Sequence, residues 1–332
     1  MAGSPRATIT QVARDAGVSL STVSRVMNGN PTVDPVLAER VRAVAVALGY
    51  TANPLARSLV LGRTQTIAVV VPDLANPTFQ SILRGLSRAA AEDGFHVLIA
   101  DSAEQVAEEA SLATATRRRT DGVVLCAPRM PQAELSALLP SLSPAVVVNR
   151  PPQEHAPTVA ADYRRGMAEL IAHLYGHGHR RIAFLSGVAG SASGAARRQA
   201  IAEAQAQHTD LEVAEIPSGV DFDSGAAAAD AVVAAEVTAV LAFNDLVAMG
   251  LLSAVTERGI RVPADLSITG FDDIPFARYT SPPLTTAAVP AVDLGKEAWQ
   301  AMSALMTGTD AAASTVRAPV VIVRGSTGPR RG

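Results

Sequence analysis

Residues 8–29 read TITQVARDAGVSLSTVSRVMNG, and they decide the fold of the N-terminal region. Thr8-Ile9-Thr10-Gln11 has the spacing of a capping box, in which a hydroxyl and an amide satisfy the first free N–H groups of a helix. Ile9, Val12, Ala13 and Ala16 then recur at helical spacing. Gly17 stops the helix, because a residue without Cβ accepts the left-handed C-cap. Ser19 can cap a second helix, Leu20 to Met27, and Asn28-Gly29 is a turn signal. Asp34-Pro35 is an N-cap followed by Pro at the first helical position. The third helix it opens runs to about Leu48, with Leu37, Val41, Val44 and Leu48 expected on its inner face. Two helices joined by a tight glycine turn on a basic segment form a helix-turn-helix pattern. The pattern alone also admits a generic three-helix cap on an enzyme.

Outward from this stretch, residues 51–63 read as a linker with a latent helix. Asn53 can cap it and Pro54 can open it, but Leu55 to Leu59 make little more than one turn, which is marginal in water without a docking surface. Leu59 has no obvious core, unless it packs on the next domain.

From Thr64 the chain alternates short apolar strands with amphipathic helices. Strands are expected at 67–71, 96–100, 122–126, 145–148, 158–160, 182–185, 213–216, 239–243, 266–271, 285–289 and 320–323. Helices are expected near 77–93, 104–118, 163–176, 195–207, 223–235, 245–257 and 293–306. Alternating βα units imply parallel sheets covered on both faces, an α/β class. The strands are too many for one sheet, so two subdomains are expected. Ligands of open α/β sheets lie beyond the carboxyl ends of the strands. Polar residues gather there: Asp73, Asn76, Asp101, Asn149, Arg150, Asp162, Asn244, Asp245, Asp272 and Asp273. Such carboxylates and amides suit a hydroxylated ligand.

The 332 residues fit about two domains and a small module. A 48% hydrophobic and 18% charged composition argues against disorder. No apolar run reaches the roughly 20 residues that span a bilayer. MAGSPRATIT has no apolar segment of the secretory kind, and the single cysteine, Cys126, excludes a disulfide framework. A cytoplasmic location is therefore expected. Residues 1–63 carry seven arginines against three acids, a surplus of four positive charges, while the rest carries a surplus of seven negative ones. The basic arm is the part expected to meet a polyanion. Only one basic residue is a lysine, Lys296, which genome composition explains as well as function does.

With these residues in view, the sequence resembles the lactose-repressor (LacI/GalR) family of bacterial transcription regulators along nearly its whole length. The resemblance rests on residues 8–29, on Leu48-Gly49-Tyr50, and on Asn53-Pro54-Leu55-Ala56-Arg57-Ser58-Leu59. It continues in Val71-Pro72-Asp73-Leu74-Ala75-Asn76-Pro77, Gly178-His179-Arg180-Arg181-Ile182-Ala183-Phe184, Phe243-Asn244-Asp245, Gly270-Phe271-Asp272-Asp273-Ile274-Pro275, Pro282-Pro283-Leu284-Thr285-Thr286 and Val323-Arg324-Gly325-Ser326-Thr327.

The resemblance implies a three-helix helix-turn-helix headpiece (1–50), a hinge (51–63) and a two-subdomain core similar to periplasmic sugar-binding proteins (64–332). The N-subdomain would hold about 64–162 and 291–318, the C-subdomain about 163–290 and 319–328. It implies a homodimer on a pseudo-palindromic operator, each second helix in a major groove. Leu20, Ser21 and Arg25 match base-reading positions, and Arg25 can pair with a guanine edge. Thr8, Ser19, Thr22, Ser24 and Asn28 would touch phosphates or cap helices. In the hinge, Asn53, Ala56, Arg57 and Leu59 would meet DNA, with Leu59 as a wedge in the minor groove. Asp73, Asn76, Phe79, Arg150, Asp162, Arg197, Phe222, Asn244 and Asp272 would line the effector cleft. Phe79 and Phe222 would give faces to a sugar ring, and Arg197 would bind its hydroxyls.

The chain departs from the family where Ala200 and Ile201 replace a Gly and an aromatic after Arg197, and where Val289 replaces a frequent Gln. Its loop 188–196 is small and flexible in composition. No heptad tail follows the last strand. Among bland readings, His173, His177 and His179 suit a helix end rather than a metal, Arg117 to Arg119 a solvated helix end, and Cys126 a buried small residue. Asp272 is expected on the ligand and Asp273 in a structural role. No metal, cofactor, P-loop or nucleophile elbow is read. The leading expectation is a repressor of sugar-utilisation genes released by a sugar-like effector. The alternatives are a regulator strengthened by a metabolite or protein partner, and a solute-binding protein, which the basic headpiece disfavours.

Overall fold

The computed structural model describes residues 7–29, 32–50, 62–310 and 314–330. The chain divides into two compact units after Gln65. In the first, α1 (Ile9–Ala16), α2 (Leu20–Met27) and α3 (Pro35–Ala47) surround a small core. The capping box forms: Thr8 Oγ1 accepts from the Gln11 amide at 3.3 Å, and Gln11 Oε1 accepts from the Thr8 amide at 2.8 Å. Gly17 takes φ 63, a left-handed value open to glycine. Asp34 Oδ1 accepts from the amides of Val36 and Leu37, with Pro35 next in line. The core of Val12, Ala13, Ala16, Val23 and Val26 meets Ala38, Val41 and Ala45 of α3. The buried stripe of α3 is thus turned from the expected one. Leu37, Val44 and Leu48 are only partly buried, and Val44 and Leu48 still pack against this core beside the fully buried Val41.

The second unit holds two six-stranded sheets. The first contains β1 (Thr66–Val71), β2 (His96–Asp101), β3 (Gly122–Cys126), β4 (Ala145–Val148), β5 (Thr158–Ala161) and β11 (Ser314–Arg317). Its order is β11-β5-β4-β3-β1-β2, parallel throughout. The second contains β6 (Arg181–Ser186), β7 (Glu212–Pro217), β8 (Ala239–Ala242), β9 (Ser267–Asp272), β10 (Thr285–Ala288) and β12 (Val320–Ile322). Its order is β12-β10-β9-β8-β6-β7, and only β12 runs antiparallel. The helices are α4 (Pro77–Glu92), α5 (Val106–Arg117), α6 (Gln132–Leu142), α7 (Tyr163–Gly176), α8 (Ala192–Gln207), α9 (Phe222–Ala227), α10 (Ala229–Ala234), α11 (Asp245–Glu257) and α12 (Ala291–Thr307). β3, β4 and β8 are buried at every position, as strands covered on both faces must be. The chain leaves the first sheet after β5, returns to it through α12 and β11, and leaves again for β12.

Three elements differ from the sequence reading. Helix α6 was not expected, since its segment carries Pro131 before it and Pro140 within it; Pro140 is tolerated in its last turns while Leu135, Leu139 and Leu142 are buried. Strand β11 is too polar and short to read as a strand, and exists by pairing with β5. The expected helix 223–235 is two short helices meeting at Ala228.

The histidines tie down the chain's last described residues. His173 Nε2 meets Thr327 Oγ1 at 2.9 Å, and His179 meets Thr238 Oγ1 and the Gly328 carbonyl. Among the described residues, no group of three His, Cys, Asp or Glu could hold a metal ion, and no helix is long and apolar enough to cross a membrane. Burial pushes the Cys126 thiol up to about 12, so it stays protonated.

Candidate functional site

On the headpiece, α2 presents one outward face. Leu20, Ser21 and Arg25 are exposed, while Val23 and Val26 face the core. Leu20 is 49% exposed on this face, and Val36 and Val46 of α3 are more exposed still. Ser19 caps α2 through the Thr22 amide at 3.1 Å and lies 2.8 Å from the Ser21 hydroxyl. Asn28 Nδ2 reaches Ser24 Oγ at 3.4 Å, so these two polar residues brace the end of the helix. Thr8 is exposed and committed to its cap. The hinge positions Asn53, Ala56, Arg57 and Leu59 lie outside the described residues.

In the second unit, the carboxyl ends of both sheets face a narrow cavity of about 30 Å³, lined by Asn76, Phe79, Arg129, Asn149, Tyr163, Ser193, Arg197, Phe243, Asn244 and Asp272 among others. This is room for about two water molecules, so the two sheets lie nearly closed on each other and a larger ligand requires them to part. Five of the nine cleft residues expected from the sequence meet there: Asn76, Phe79, Arg197, Asn244 and Asp272. Asn76 and Asn244 also cap helices. The Asn76 oxygen accepts from Thr78 N at 2.9 Å, opening α4, and the Asn244 oxygen accepts from Val247 N at 2.9 Å, opening α11.

Four expected residues do not line the cavity. Asn149 takes φ 57 at the end of β4, and the strand turns there. Asn149 therefore faces the cavity, while Arg150 donates to the carbonyls of Pro128 and Met130 and to Gln132. Asp162 is spent on the Arg165 amide as the cap of α7. Asp73 accepts from the Ala75 amide in the loop after β1. Its carboxyl is raised above the usual range by burial, and by Asp101, Glu104 and Asp221 nearby. Phe222 is 45% exposed at the start of α9, so the aromatic faces of the cavity come from Phe79, Tyr163 and Phe243 instead.

Arg197 is the unusual group. Only 1% of it is exposed, and its guanidinium lies 4.1–4.6 Å from the ring centres of Phe271, Phe243 and Tyr163. Its Nε and Nη1 have no hydrogen-bond partner. Desolvation lowers its pKa to about 10, against the opposing pull of Asp272. Buried donors of this kind are rare unless a ligand or water satisfies them. Ala200 and Ile201 are both buried on the same helix, so the departure from the family pattern leaves Arg197 in the cavity. The segment expected as a flexible rim is partly ordered: Ser191 caps α8, which starts at Ala192, and it thereby places Ser193 on the cavity.

Asp272 ends β9 with φ 105. Its Oδ2 accepts from Thr78 Oγ1 at 2.8 Å, a bond that joins the C-subdomain strand to α4. Burial pushes its carboxyl up to about 6, which Arg197 and Thr78 counteract. Asp273 turns away to Arg324, 2.6 Å from its guanidinium. Sequence reading missed Arg129, whose guanidinium forms a fork with the Glu104 carboxylate at 2.8 and 2.9 Å and whose amide is held by buried Glu109. Its position just past β3 was the available signal. The cavity thus offers a neutralised Arg129, an unpaired Arg197 and one carboxylate.

Comparison with known proteins gives two family matches. Residues 8–53 match the family model "Bacterial regulatory proteins, lacI family", and residues 171–327 match a periplasmic binding protein-like domain. The chain is 32% identical over 296 residues to the HTH-type transcriptional regulator GalS of Salmonella typhimurium, covering 87% of each. It is similar to the lac repressor dimer bound to operator and the anti-inducer ONPF, with a TM-score of 0.87, 25% identity, and coverage of 97% of this chain and 99% of the other. A complex of the transcriptional regulator CelR with cellobiose gives a TM-score of 0.68 at 30% identity, covering 97% of this chain and all of the other.

Proposed function

The chain belongs to the lacI family of bacterial regulatory proteins, and from that premise we propose that it is a sequence-specific transcriptional repressor that a neutral, hydroxylated small molecule releases from DNA. The observation that carries the ligand reading is the buried, unpartnered Arg197 guanidinium across from Asp272. A sugar hydroxyl accepts from Arg197 and donates to Asp272, while Tyr163, Phe243 and Phe79 cover the ring. Glu104 already neutralises Arg129. With Asp272 present, the cavity has no surplus positive charge for a phosphate. Thus it favours a sugar or polyol over a sugar phosphate.

On the DNA side, α2 is the reading element, with Arg25 on a guanine edge and the exposed Leu20 against a thymine methyl. As a homodimer the protein reads a pseudo-palindrome. Ligand binding stabilises one arrangement of the two subdomains, and the difference between arrangements is the coupling to DNA.

The test uses the full-length protein. A DNA site is selected from a random library, and binding is followed by fluorescence anisotropy. Neutral sugars, polyols, nucleosides and sugar phosphates are screened by thermal shift, and hits are added to the DNA complex. The expected result is enrichment of a pseudo-palindrome and a neutral-sugar hit that weakens the complex. Arg25→Ala should lower discrimination at one base pair by about 1–3 kcal/mol. Tighter DNA binding with the hit would reassign the ligand as a co-repressor. If no sequence is enriched, or if Arg25→Ala keeps the full preference, the DNA-reading assignment is wrong.

A further inference from the structure

Asp245 lies outside the cavity, fully buried in the first turn of α11, and no cation meets it within ion-pair distance among the described residues. Its two oxygens are nonetheless occupied. Oδ1 accepts from the Thr286 hydroxyl at 2.7 Å, and Oδ2 accepts from the Ile274 amide at 2.8 Å. The same Thr286 oxygen accepts from the Asp273 amide at 3.3 Å. One carboxylate therefore secures, directly or through one hydroxyl, the two consecutive amides that follow Asp272. The space it occupies exists because residue 270 is glycine: a Cβ there would stand 2.0 Å from Asp245 Oδ1.

The segment so held is strained. Asp272 has φ 105 and Asp273 has φ 55, values that non-glycine residues rarely adopt. Each such residue persists only where its surroundings over-determine it. The strain has a geometric result. It sends the Asp272 carboxylate to Thr78 on the opposite subdomain and the Asp273 carboxylate to Arg324 on its own. The cost of keeping Asp245 here is visible too. Burial, together with the nearby Asp272 and Asp273 charges, raises its pKa well above the carboxylate range. The cap of α11 is already supplied by Asn244, so the bonds Asp245 makes are those to Thr286 and Ile274.

We propose that Asp245, acting through Thr286 and the Ile274 amide, is a positioning residue: it holds the β9 end so that Asp272 bridges the two subdomains through Thr78 and presents its carboxylate to the effector. The proposal rests on the effector reading of the cavity for its last clause only. The bridge itself can be tested without any ligand.

The test is a double-mutant cycle on the Thr78–Asp272 pair, read by urea unfolding of the ligand-free, full-length protein. Thr78→Val, Asp272→Asn and their combination are made in four backgrounds: wild type, Asp245→Asn, Thr286→Val and Thr286→Ser. In the wild type, the non-additive part should change the unfolding equilibrium about tenfold, as a hydrogen bond to a charged group does. Thr286→Ser keeps the hydroxyl and should keep the coupling. Thr286→Val keeps the volume but removes the relay and should abolish it. Asp245→Asn keeps one acceptor for the Ile274 amide but meets the Thr286 hydroxyl with a donor, so it should weaken the coupling. If Asp245→Asn fails to fold, the Val and Ser pair at position 286 decides the matter.

Coupling of undiminished size in Thr286→Val overturns the proposal and leaves Asp245 as a stabiliser only. Absence of coupling in the wild type overturns it also, because then no bridge exists to be positioned. The effector reading fails separately. A sugar from the thermal-shift panel that shifts Asp272→Asn as strongly as wild type would remove Asp272 from the ligand and leave the ligand-free cycle intact.

Discussion

Arg197 carries its charge into an aromatic cage with two donors unsatisfied. A buried ion pair short of hydrogen bonds stabilises little, and apolar side chains of similar volume often replace both partners at no loss. Arg197→Met combined with Asp272→Leu should therefore leave ligand-free stability unchanged or raise it by up to about 3 kcal/mol in urea unfolding. The thermal shift given by the sugar hit should disappear. A loss of stability of several kcal/mol instead would make Arg197 a structural pillar and not a ligand group. At this scale the sequence was partly legible. Arg197, Asn244 and Asp272 follow from motif positions, but Arg150 does not line the cavity. The left-handed turn at Asn149 exchanges the two side chains, and no spacing rule displays a single φ. Tyr163 and Phe243 were equally hidden, since they reach the cavity only by packing around Arg197.

Among elements, α4 and α12 pack backbone to backbone on the first sheet. A Cβ on Gly85 would stand 2.0 Å from the Val292 carbonyl, and one on Gly295 would stand 2.0 Å from the Ile82 carbonyl. The obstacle in each case is main chain, which cannot rotate away. Gly295→Ala should part the helices and destabilise the protein by about 3 kcal/mol in urea unfolding. Because α4 also carries Thr78, the variant should weaken the response to the sugar hit. An unchanged unfolding midpoint would mean that the helices are not in this close contact. The same scale explains which elements could be read in advance. Apolar runs such as Ile67–Val71 and capped helices such as α1 announce themselves locally. Helix α6, with its internal Pro140, and the polar edge strand β11 are decided by the neighbours they pack on.

Over the whole molecule, buried carboxylates tie stability to pH. Desolvation raises the pKa of Glu109, Asp245 and Asp272 above that of the unfolded chain, to about 6 for Asp272. A raised acid binds its proton more tightly when folded. Its contribution is complete below the unfolded pKa near 4 and is lost as pH rises through the folded value. His173 and His179, lowered by burial, act with the opposite sign and favour the folded state at higher pH. The carboxylate effect is therefore isolated as a difference. The stability of ligand-free wild type relative to Asp272→Asn should fall as pH rises from 4 to 6 and be level above 7. A difference independent of pH would show that Asp272 titrates as an ordinary carboxylate. Under the proposed effector reading, in which the sugar donates to ionised Asp272, sugar binding should strengthen over the same interval.

The sequence by itself determined the helix-turn-helix headpiece, the α/β class with paired subdomains, and the family. The helices and the α/β class rest on local signals, namely the Thr8–Gln11 capping box, Gly17 at a left-handed cap and apolar periods that switch between strand and helix, while the family rests on the resemblance of residues 8–29 and the later motifs. The basic arm and the absence of a cofactor motif could be read from residue counts and spacings in the same way. The tertiary structure alone decided which polar groups face the cavity, how the acids at 272 and 273 divide between Thr78 and Arg324, and that Asp245 is buried behind them. Those outcomes depend on contacts between residues tens to hundreds of positions apart, such as Thr78 with Asp272. The geometry of such contacts is set by packing and by individual backbone angles, which local pattern does not encode.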